Sequence, residues 1–403
     1  MSAGRSARTT AAYAPDRTFL SHPALKRLLK ELPTPFYLYD ARGLRAAVHS
    51  VYDAFSWNEG FTQYFPLRLN ASPAILSLLR EEGCGALCDS PFLLARAKQC
   101  GFAPEKLLCT AAAGAEDCAV ILDGAHDLPA TPPSEALLRF NPGGKLSLEG
   151  RVLASLDRVR LGMPEAELHR LAAQLRLFGT AQIGLSFQAL SGDLRPEYYP
   201  AVAKLLFEAA LRLSSETGIS VASCCLGDGL GVSGRPEFPP PSIAECGARI
   251  RALYDSLLTP NGLGKVRLKT ALGRRLIAEH AIFVTSVRAV KQRTKPLLLV
   301  DAAGSQFSDM GPLAGKHHIS VVGKASADGR IVCDVAGCQS EAYGYFAEGC
   351  ILPPVHPGDV LVFHTAGAVA SGWTPGSGFP PAAQYLLRED GSVEPIEGCF
   401  TAW

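Results

Sequence analysis

Residues 61–101, FTQYFPLRLNASPAILSLLREEGCGALCDSPFLLARAKQCG, contain one short pattern twice, and this repetition decides the fold class. The strand-like FTQYFPL (61–67) leads into a helix for which Ser72 suits the N-cap. ALCD (86–89) leads into a second helical stretch after Ser90. In both cases a proline follows the serine, as is common at the first helical position. Strands that alternate with helices in this way predict right-handed crossovers and a parallel sheet.

The same alternation continues on both sides of this stretch. Upstream, TPFYLY (34–39) is a predicted strand, and Asp40 is placed to cap the helix that follows. Further predicted strands are KLLCT (106–110), AVIL (119–122), LLRF (137–140), AQIGLSF (181–187), ISVASCCL (219–226) and KVRLKT (265–270), with helices near 164–177, 197–216 and 242–258. About eight strands favour a TIM-like (β/α)8 barrel over residues 33–277. The short spacing after KLLCT leaves room for about one helical turn, which predicts one truncated barrel helix.

The pattern changes after Ile277, where strands follow one another without intervening helices. The predicted strands are AIFVTSVRAV (281–290), PLLLVDA (296–302), HHISVV (317–322), RIVCDV (330–335), DVLVFHT (359–365) and AAQYLL (382–387). Turns rich in Gly and Pro separate them. Residues 278–403 are therefore predicted to form a C-terminal all-β domain, and residues 1–32 an N-terminal tail and lead-in.

The composition limits the classes of partner. The chain has 403 residues, of which 47% are hydrophobic, and 39 Lys and Arg balance 38 Asp and Glu. Without a basic block, nucleic acid and anionic membranes are not expected partners. No apolar run approaches a membrane span and no secretory signal is evident, so a cytoplasmic protein is expected. The 12 cysteines show no CxxC spacing, which favours buried reduced thiols over disulfides or zinc ligands. The nine histidines show no HExxH spacing, so no metal site is expected.

Several of these stretches, in this order, resemble the motifs of one known family. They are TPFYLYD (34–40), FPLRLNASPAILSLLREEGCGALCDSPFLL (65–94), LLRFNPG (137–143), LGMPEAEL (161–168), LGDGLG (226–231), ALGRRL (271–276), GCQS (337–340) and PGDVLVFHTAGAVA (357–370). The family is diaminopimelate decarboxylase and its fold-type III relatives, which share an alanine racemase-like barrel. The resemblance implies a homodimer that binds pyridoxal phosphate at the barrel mouth and decarboxylates amino acids. It also implies that the partner's β-domain completes each site.

The resemblance places an arginine where the family has its Schiff-base lysine. The family's strand reads roughly YAVKAN, and the aligned residues here are FPLRLN, so Arg68 stands at the lysine position. A covalent link to the cofactor needs a neutral amine, and a guanidinium of pKa above about 12 does not provide one. Arg68 is either an anion-binding residue at the site or an ordinary ion-paired arginine. Covalent attachment of pyridoxal phosphate is therefore doubtful.

Two further groups that the resemblance implies at the cofactor ring are replaced. Ala271 stands where the family's EPGR loop has the glutamate that keeps the pyridine nitrogen protonated. Gln188 stands where a histidine stacks on the ring in the family's HxHIGS-like segment, and Gln188 and Ser191 are the cofactor-binding candidates of this segment. With both changes, electron withdrawal by the ring would be weak.

The resemblance also implies a phosphate loop, which this chain keeps in part. Gly227, Gly229 and Gly231 of LGDGLG would let backbone N–H groups approach a phosphate, with Gly273 as a further candidate, or would serve only a tight turn. Asp228, where the family usually has glycine, would bring a carboxylate close to that dianion. This charge would oppose phosphate binding unless the side chain turns away.

The remaining candidates lie in the ALGR and GCQS motifs. Arg274 would bind a substrate carboxylate, as the resemblance implies, or pair with a neighbouring acid. Cys338 corresponds to the family's proton donor from the partner subunit, with a buried structural thiol as the alternative. Its usual neighbours are replaced by Gln339, Thr365 and Val369.

Three hypotheses for function remain. The first is a family member without pyridoxal-phosphate chemistry, acting as a ligand-binding or regulatory homologue that is a homodimer or pairs with an intact paralogue. The second is altered chemistry on a small anionic ligand or amino acid held by Arg68 and Arg274. The third is an active decarboxylase that recruits Lys265, Lys269 or Lys324, although none lies in a motif that would aim it at the ring. Because the lysine, glutamate and histidine are all replaced, the first hypothesis ranks above the others.

Overall fold

The structure is a computed structural model that describes residues 19–110, 118–188, 192–235, 237–307, 317–339, 344–368 and 379–397. The helices are α1 (His22–Glu31), α2 (Ala41–Phe55), α3 (Pro73–Glu81), α4 (Pro91–Gln99), α5 (Glu165–Phe178), α6 (Tyr198–Thr217), α7 (Ile243–Leu257) and α8 (Gly273–Ile277). The strands are β1 (Phe36–Asp40), β2 (Thr62–Pro66), β3 (Gly85–Cys88), β4 (Leu107–Cys109), β5 (Ala119–Leu122), β6 (Glu135–Arg139), β7 (Lys145–Leu148), β8 (Arg151–Ser155), β9 (Gln182–Ser186), β10 (Val221–Cys225), β11 (Arg267–Thr270), β12 (Ala281–Lys291), β13 (Leu297–Val300), β14 (Ile319–Val321), β15 (Ile331–Ala336), β16 (Tyr345–Leu352), β17 (Val360–Phe363), β18 (Ala383–Leu387) and β19 (Val393–Pro395). Within these ranges, no helix is both long enough and apolar enough to cross a membrane.

Eight parallel strands close into a barrel in the order β2, β3, β4, β5, β6, β9, β10 and β11, and β11 pairs with β2. The predicted (β/α)8-type barrel is confirmed. Helices α3 to α7 connect successive barrel strands, and a two-stranded hairpin of β7 and β8 precedes α5. Between β5 and β6 the chain makes only a 3₁₀ turn, Ala125–Asp127, whereas the segment after KLLCT, for which the truncated helix was predicted, lies outside the described residues.

The repeated unit at the start of the barrel begins its helices where the Ser-Pro pairs predict. Helix α3 begins at Pro73 and α4 at Pro91. The Ser90 hydroxyl accepts the backbone N–H of Leu93 at 3.3 Å, whereas the hydroxyl of Ser72 makes no such capping bond. These two helix starts fix the turns that follow β2 and β3, at the carboxyl end of the barrel.

A second unit contains the remaining sheet, which confirms the predicted C-terminal sheet domain. Of the described residues, it comprises those within 19–40, 233–239 and 278–397, whereas the barrel unit comprises those within 41–232 and 240–277. Strand β1 belongs to this sheet, where it pairs antiparallel with β12 and parallel with β18. The assignment of TPFYLY to the barrel was therefore wrong, although the strand itself is confirmed. A strand that is buried on both faces has the same sequence pattern in either sheet.

Helix α1 also lies in this sheet unit, within the range predicted as a tail and lead-in. The Ser21 hydroxyl accepts the backbone N–H of Ala24 at its start, and Leu25, only 1% exposed, packs into an apolar cluster with Phe36 and Leu38 of β1. The described part of this range is thus an amphipathic helix that covers the sheet.

The barrel interior is largely apolar and contains a buried ion pair. Tyr64, Leu87, Leu137 and other apolar side chains fill it. Lys269 of β11 and Glu135 of β6 meet in this interior, and their side chains are only 5% and 9% exposed. The Ser223 hydroxyl donates to the same carboxylate at 2.5 Å, and the Lys269 ammonium lies 5.8 Å from the centre of the Tyr64 ring. Each charge compensates for the desolvation of the other.

We expect Lys269→Met alone to lower the free energy of unfolding by about 3 kcal/mol, because the buried Glu135 carboxylate loses its nearest cation and keeps only the half-exposed Arg267, whose Nη2 lies 3.9 Å away. The double variant Lys269→Met/Glu135→Leu should recover most of this loss, since apolar side chains of similar volume fill the same space. Urea unfolding followed by circular dichroism measures both. As a control, Lys204→Met removes an exposed pair with Glu208 and should change stability by less than about 1 kcal/mol. A double variant as unstable as the single one would contradict this account.

Candidate functional site

A cleft opens at the carboxyl end of the barrel strands, where barrel enzymes carry their active sites. Pro66, Arg139, Ser186 and Cys225 are the last residues of β2, β6, β9 and β10, and all four line it. The apolar lining residues are Pro66, Leu87, Ile121, Phe187, Cys225 and Ala271, and the others are Arg68, Arg139, Ser186, Gln188, Gly227 and Asp228. Half of the lining residues are therefore apolar.

Arg68 lies in the turn after β2 and lines the cleft. Its Nη1 contacts Asp89 Oδ2 at 2.8 Å, and its side chain is 36% exposed. Asp89, which follows β3, also accepts the Thr110 hydroxyl at 3.1 Å. Arg68 is thus an ion-paired guanidinium, which was the structural alternative, and it still lines the cleft.

Arg274, at the start of α8, pairs with an acid of the glycine loop. Its Nη1 lies 2.9 Å from Asp228 Oδ2, and the two side chains are 16% and 4% exposed. The other carboxylate oxygen of Asp228 accepts the backbone N–H of Gly229 at 2.8 Å. Of the two roles considered for Arg274, the structure shows the pairing with a neighbouring acid.

Arg139 was not singled out from the sequence, although it lies in the LLRF strand. Its Nη1 pairs with Asp123 at 2.8 Å, and its side chain is 6% exposed. Asp123 follows β5 and also accepts the backbone N–H of Gly162 at 2.9 Å. A basic residue that ends an otherwise apolar barrel strand was the available signal, because strand ends form the mouth.

Two buried donors in the cleft have no hydrogen-bond partner among the described residues: Arg139 Nε and the Ser186 hydroxyl. Arg139 and Ser186 are 5% and 2% exposed and lie opposite each other in the pairing of β6 with β9. Buried polar atoms in proteins nearly always have a partner, either protein, water or ligand. These two donors therefore mark a position where a polar group can be bound.

The backbone N–H groups of the glycine loop are largely engaged within the protein. Gly229 donates to Asp228, Gly231 donates to the carbonyl of Asp193 at 2.7 Å, and Gly273 donates to the carbonyl of Ala271 at 2.8 Å. At Gly227, where φ is +67°, a Cβ would lie 2.4 Å from the carbonyl oxygen of Phe187. The tight turn considered for these glycines is thus present.

The ring-binding candidates are only partly described. Gln188 and Ala271 both line the cleft, and Ala271 is 2% exposed. Cys225 also lines the cleft, and burial raises the pKa of its thiol. The Gly227 N–H and the positive charges of Lys269 and Arg139 lower this pKa, but by less than burial raises it. Ser191 lies outside the described residues.

No lysine lines this cleft among the described residues. Lys269 is held by Glu135 in the barrel interior, and Lys265 is exposed at the amino end of β11, whereas the cleft is at the carboxyl end. Lys324 belongs to the sheet unit, where it pairs with Asp359 at 2.6 Å. The three lysines considered as substitutes thus have other surroundings.

Cys338 lies in the sheet unit and is exposed, which corrects the alternative of a buried structural thiol. Its Sγ contacts the carbonyl of Asp301 at 3.4 Å, and partial burial raises the pKa of the thiol. Gln339 accepts the backbone N–H of Gly304 at 3.0 Å, and Thr365 has φ of 58°, which is unfavourable for a β-branched residue. Val369 lies outside the described residues.

No group of three or more His, Cys, Asp or Glu side chains that could hold a metal ion occurs in the described part of the chain.

The comparisons with known proteins agree with this fold. The family model described as "Pyridoxal-dependent decarboxylase, C-terminal sheet domain" matches residues 36–367. Diaminopimelate decarboxylase of Methanothermobacter thermautotrophicus is 26% identical over 92% of this chain and 90% of its own length. Protein TabA of Pseudomonas amygdali pv. tabaci is 28% identical over 94% of this chain and 92% of its own length.

A solved structure has the same fold at lower sequence identity. Diaminopimelate decarboxylase from Helicobacter pylori, complexed with L-lysine, superposes with a TM-score of 0.78 at 20% identity. The superposition covers 92% of this chain and 95% of that one. Because the family model spans most of the barrel and the sheet unit, this chain belongs to the family of pyridoxal-dependent decarboxylases.

Proposed function

We propose that this chain is a diverged relative of diaminopimelate and ornithine decarboxylases without ordinary pyridoxal-phosphate decarboxylase chemistry, acting as a ligand-binding or regulatory homologue. One observation carries the proposal. The described lining of the barrel-mouth cleft contains no lysine, and Arg68, at the position of the family's Schiff-base lysine, is paired with Asp89 at 2.8 Å. A paired guanidinium supplies no nucleophilic amine.

Family membership implies pyridoxal phosphate, but the described residues of the mouth do not fit it. Among the described residues, no lysine lines the cleft to supply an amine for covalent attachment. The N–H groups of Gly229 and Gly231 donate within the protein, and the buried Asp228 carboxylate would repel a phosphate dianion. Ala271 offers no carboxylate to a pyridine nitrogen. The proposal therefore assigns no catalytic step to the cofactor.

The ligand we propose is a small anion or an amino acid, bound through a carboxylate. Arg139 Nε and the Ser186 hydroxyl are buried donors without a described partner, and a carboxylate can accept from both. Leaving such donors unsatisfied costs about 1 to 3 kcal/mol each, so a bound acceptor is favoured. The apolar side chains of Leu87, Ile121 and Ala271 limit the remainder of the ligand to a small, largely apolar body.

The alternative is an active amino-acid carboxy-lyase with a non-standard site. The observation in its favour is the exposed Cys338, whose thiol is able to donate a proton. The family resemblance gives that role to the cysteine of a partner subunit. The assay that follows decides between the two.

We expect the wild-type protein with excess pyridoxal phosphate to develop no absorbance band of a lysine-bound cofactor and to release no carbon dioxide from meso-diaminopimelate, lysine or ornithine. Arg68→Lys should give the band at high cofactor concentration, because it supplies an amine. Its turnover should stay negligible, since each missing polar group at a catalytic centre costs about 10²- to 10³-fold in rate, and Ala271 and Gln188 both remain.

Arg68→Gln is the matched control, because it removes the guanidinium without supplying an amine and should give no band. Diaminopimelate decarboxylase from Helicobacter pylori serves as the positive control for carbon dioxide release. Release by the wild-type protein would refute the loss of chemistry. Release by Arg68→Lys alone would show that the glutamate and histidine positions matter less than argued.

Ligand binding is tested by isothermal titration with small mono- and dicarboxylates and amino acids, and we expect at least one to bind. Ser186→Ala should weaken that ligand about 5- to 100-fold, the effect of losing one hydrogen bond to a charged group. Ser256→Ala, which alters an exposed hydroxyl on α7, should leave the affinity unchanged. If no carboxylate binds, or if Ser186→Ala has no effect, the proposed subsite is wrong.

The proposal includes a cytoplasmic homodimer. The described cysteines are free thiols, as is typical of a reducing compartment. The family resemblance implies that a partner's sheet domain completes each mouth, and the GCQS motif has been kept. Light scattering at micromolar concentration should give twice the 42.7 kDa of one chain. A monomer would contradict the dimer, and a monomer that dimerises only on addition of an intact paralogue would favour the hetero-oligomer instead.

A further inference from the structure

The glycine loop at the barrel mouth contains its own buried anion. Asp228 is 5% exposed, although a carboxylate is among the groups least often buried in proteins. One of its oxygens accepts the Gly229 N–H at 2.8 Å, and the other lies 2.9 Å from Arg274 Nη1. The side chain therefore does not turn away from the loop. It receives a backbone donor and a guanidinium at once.

These are the two kinds of donor that bind a phosphate group in proteins. Glycine-rich turns present backbone N–H groups to phosphate oxygens, and arginine adds charged N–H donors. Here both kinds already donate to a carboxylate that is part of the chain. A second anion in the same place would have to displace this carboxylate or be bound beside it, against the repulsion of like charges.

The loop has little room to rearrange around a second anion. A Cβ at Gly227 would lie 2.4 Å from the carbonyl oxygen of Phe187, and a Cβ at Gly231 would lie 2.7 Å from that of Asp193. The Gly231 N–H donates to that same Asp193 carbonyl at 2.7 Å. The backbone at Gly227 and Gly231, on either side of Asp228, is thus packed against the backbone of Phe187 and Asp193.

We propose that Asp228 is a built-in substitute for a phosphate: its carboxylate neutralises Arg274 and closes the glycine loop, so that the mouth excludes phosphorylated ligands and accepts unphosphorylated carboxylates elsewhere in the cleft. The inference deepens the proposed function and rests on it in taking the barrel mouth as the binding site. It makes Asp228 a specificity-determining residue, because a single side chain decides which class of anion enters.

The test replaces Asp228 and asks whether inorganic phosphate now binds. The wild-type melting temperature should not change between buffers with and without phosphate at constant ionic strength. Asp228→Gly should melt at a lower temperature without phosphate, because the ion pair of Asp228 with Arg274 is lost, and phosphate should restore the melting temperature. Calorimetry should show phosphate binding at least about tenfold tighter to this variant than to the wild type.

Two further variants keep the result interpretable. If Asp228→Gly does not fold, Asp228→Asn removes the charge with little change in shape and should gain phosphate binding in the same way. Adding Arg274→Gln to either variant should abolish the gain, which locates the phosphate beside Arg274.

The matched control is Asp334→Gly in the sheet unit. Asp334 also accepts a glycine N–H, that of Gly349 at 2.7 Å, and pairs with Lys295 at 2.6 Å. Its removal should lower stability, but phosphate should not restore it, because the pair lies outside the glycine loop.

Phosphate binding by the wild-type protein, or no gain in a folded Asp228 variant, would overturn the inference. Restoration of Asp334→Gly by phosphate would overturn it as well, because the effect would then be unspecific. These outcomes are distinct from a failure of the proposed function, which would appear as carbon dioxide release by the wild type.

Pyridoxal phosphate gives an independent readout. The absorbance band of Arg68→Lys/Asp228→Gly should saturate at a pyridoxal-phosphate concentration at least about tenfold lower than the band of Arg68→Lys does.

Discussion

Closure of the parallel barrel is the constraint on which the rest of the site depends. Because β11 pairs with β2, the carboxyl ends of all eight strands form one ring, and residues far apart in the chain become neighbours there. Arg274 and Asp228 are 46 residues apart in sequence and join the ends of β11 and β10. Arg68 with Asp89 and Arg139 with Asp123 join two other pairs of adjacent strand ends. Each arginine of the cleft is thereby matched with an aspartate.

This matching gives the mouth an electrostatic character unlike that of a phosphate site. A site that binds a dianion needs excess positive charge, but here Asp89, Asp123 and Asp228 neutralise the arginines locally. The described donors without a partner are Arg139 Nε and the Ser186 hydroxyl, among lining residues of which half are apolar. In the proposed carboxylate site, hydrogen-bond geometry and size would select the ligand rather than total charge.

The sequence predicted the elements well because their signals are local. Ser-Pro pairs mark the starts of α3 and α4, and short apolar runs mark β4, β5 and β6. The sheet to which TPFYLY belongs was not predictable in this way, since Phe36 to Tyr39 are at most 1% exposed, and a fully buried strand fits a barrel or a sheet equally well. Sequence could also identify Arg68 and Asp228 as unusual, but not their partners, because pairing depends on which strand ends become adjacent.

The sheet assignment of β1 has a consequence for how the chain folds during synthesis. Strand β1 (Phe36–Asp40) leaves the ribosome early, yet its neighbours β12 (Ala281–Lys291) and β18 (Ala383–Leu387) follow only after the whole barrel. The barrel can therefore fold first, because its strands pair mostly with sequence neighbours. Until β12 and β18 are synthesised, β1 is an apolar segment whose two edges have no paired strand. A nascent chain of this topology is most vulnerable to aggregation, and most dependent on chaperones, in the interval between completion of the barrel and arrival of β18.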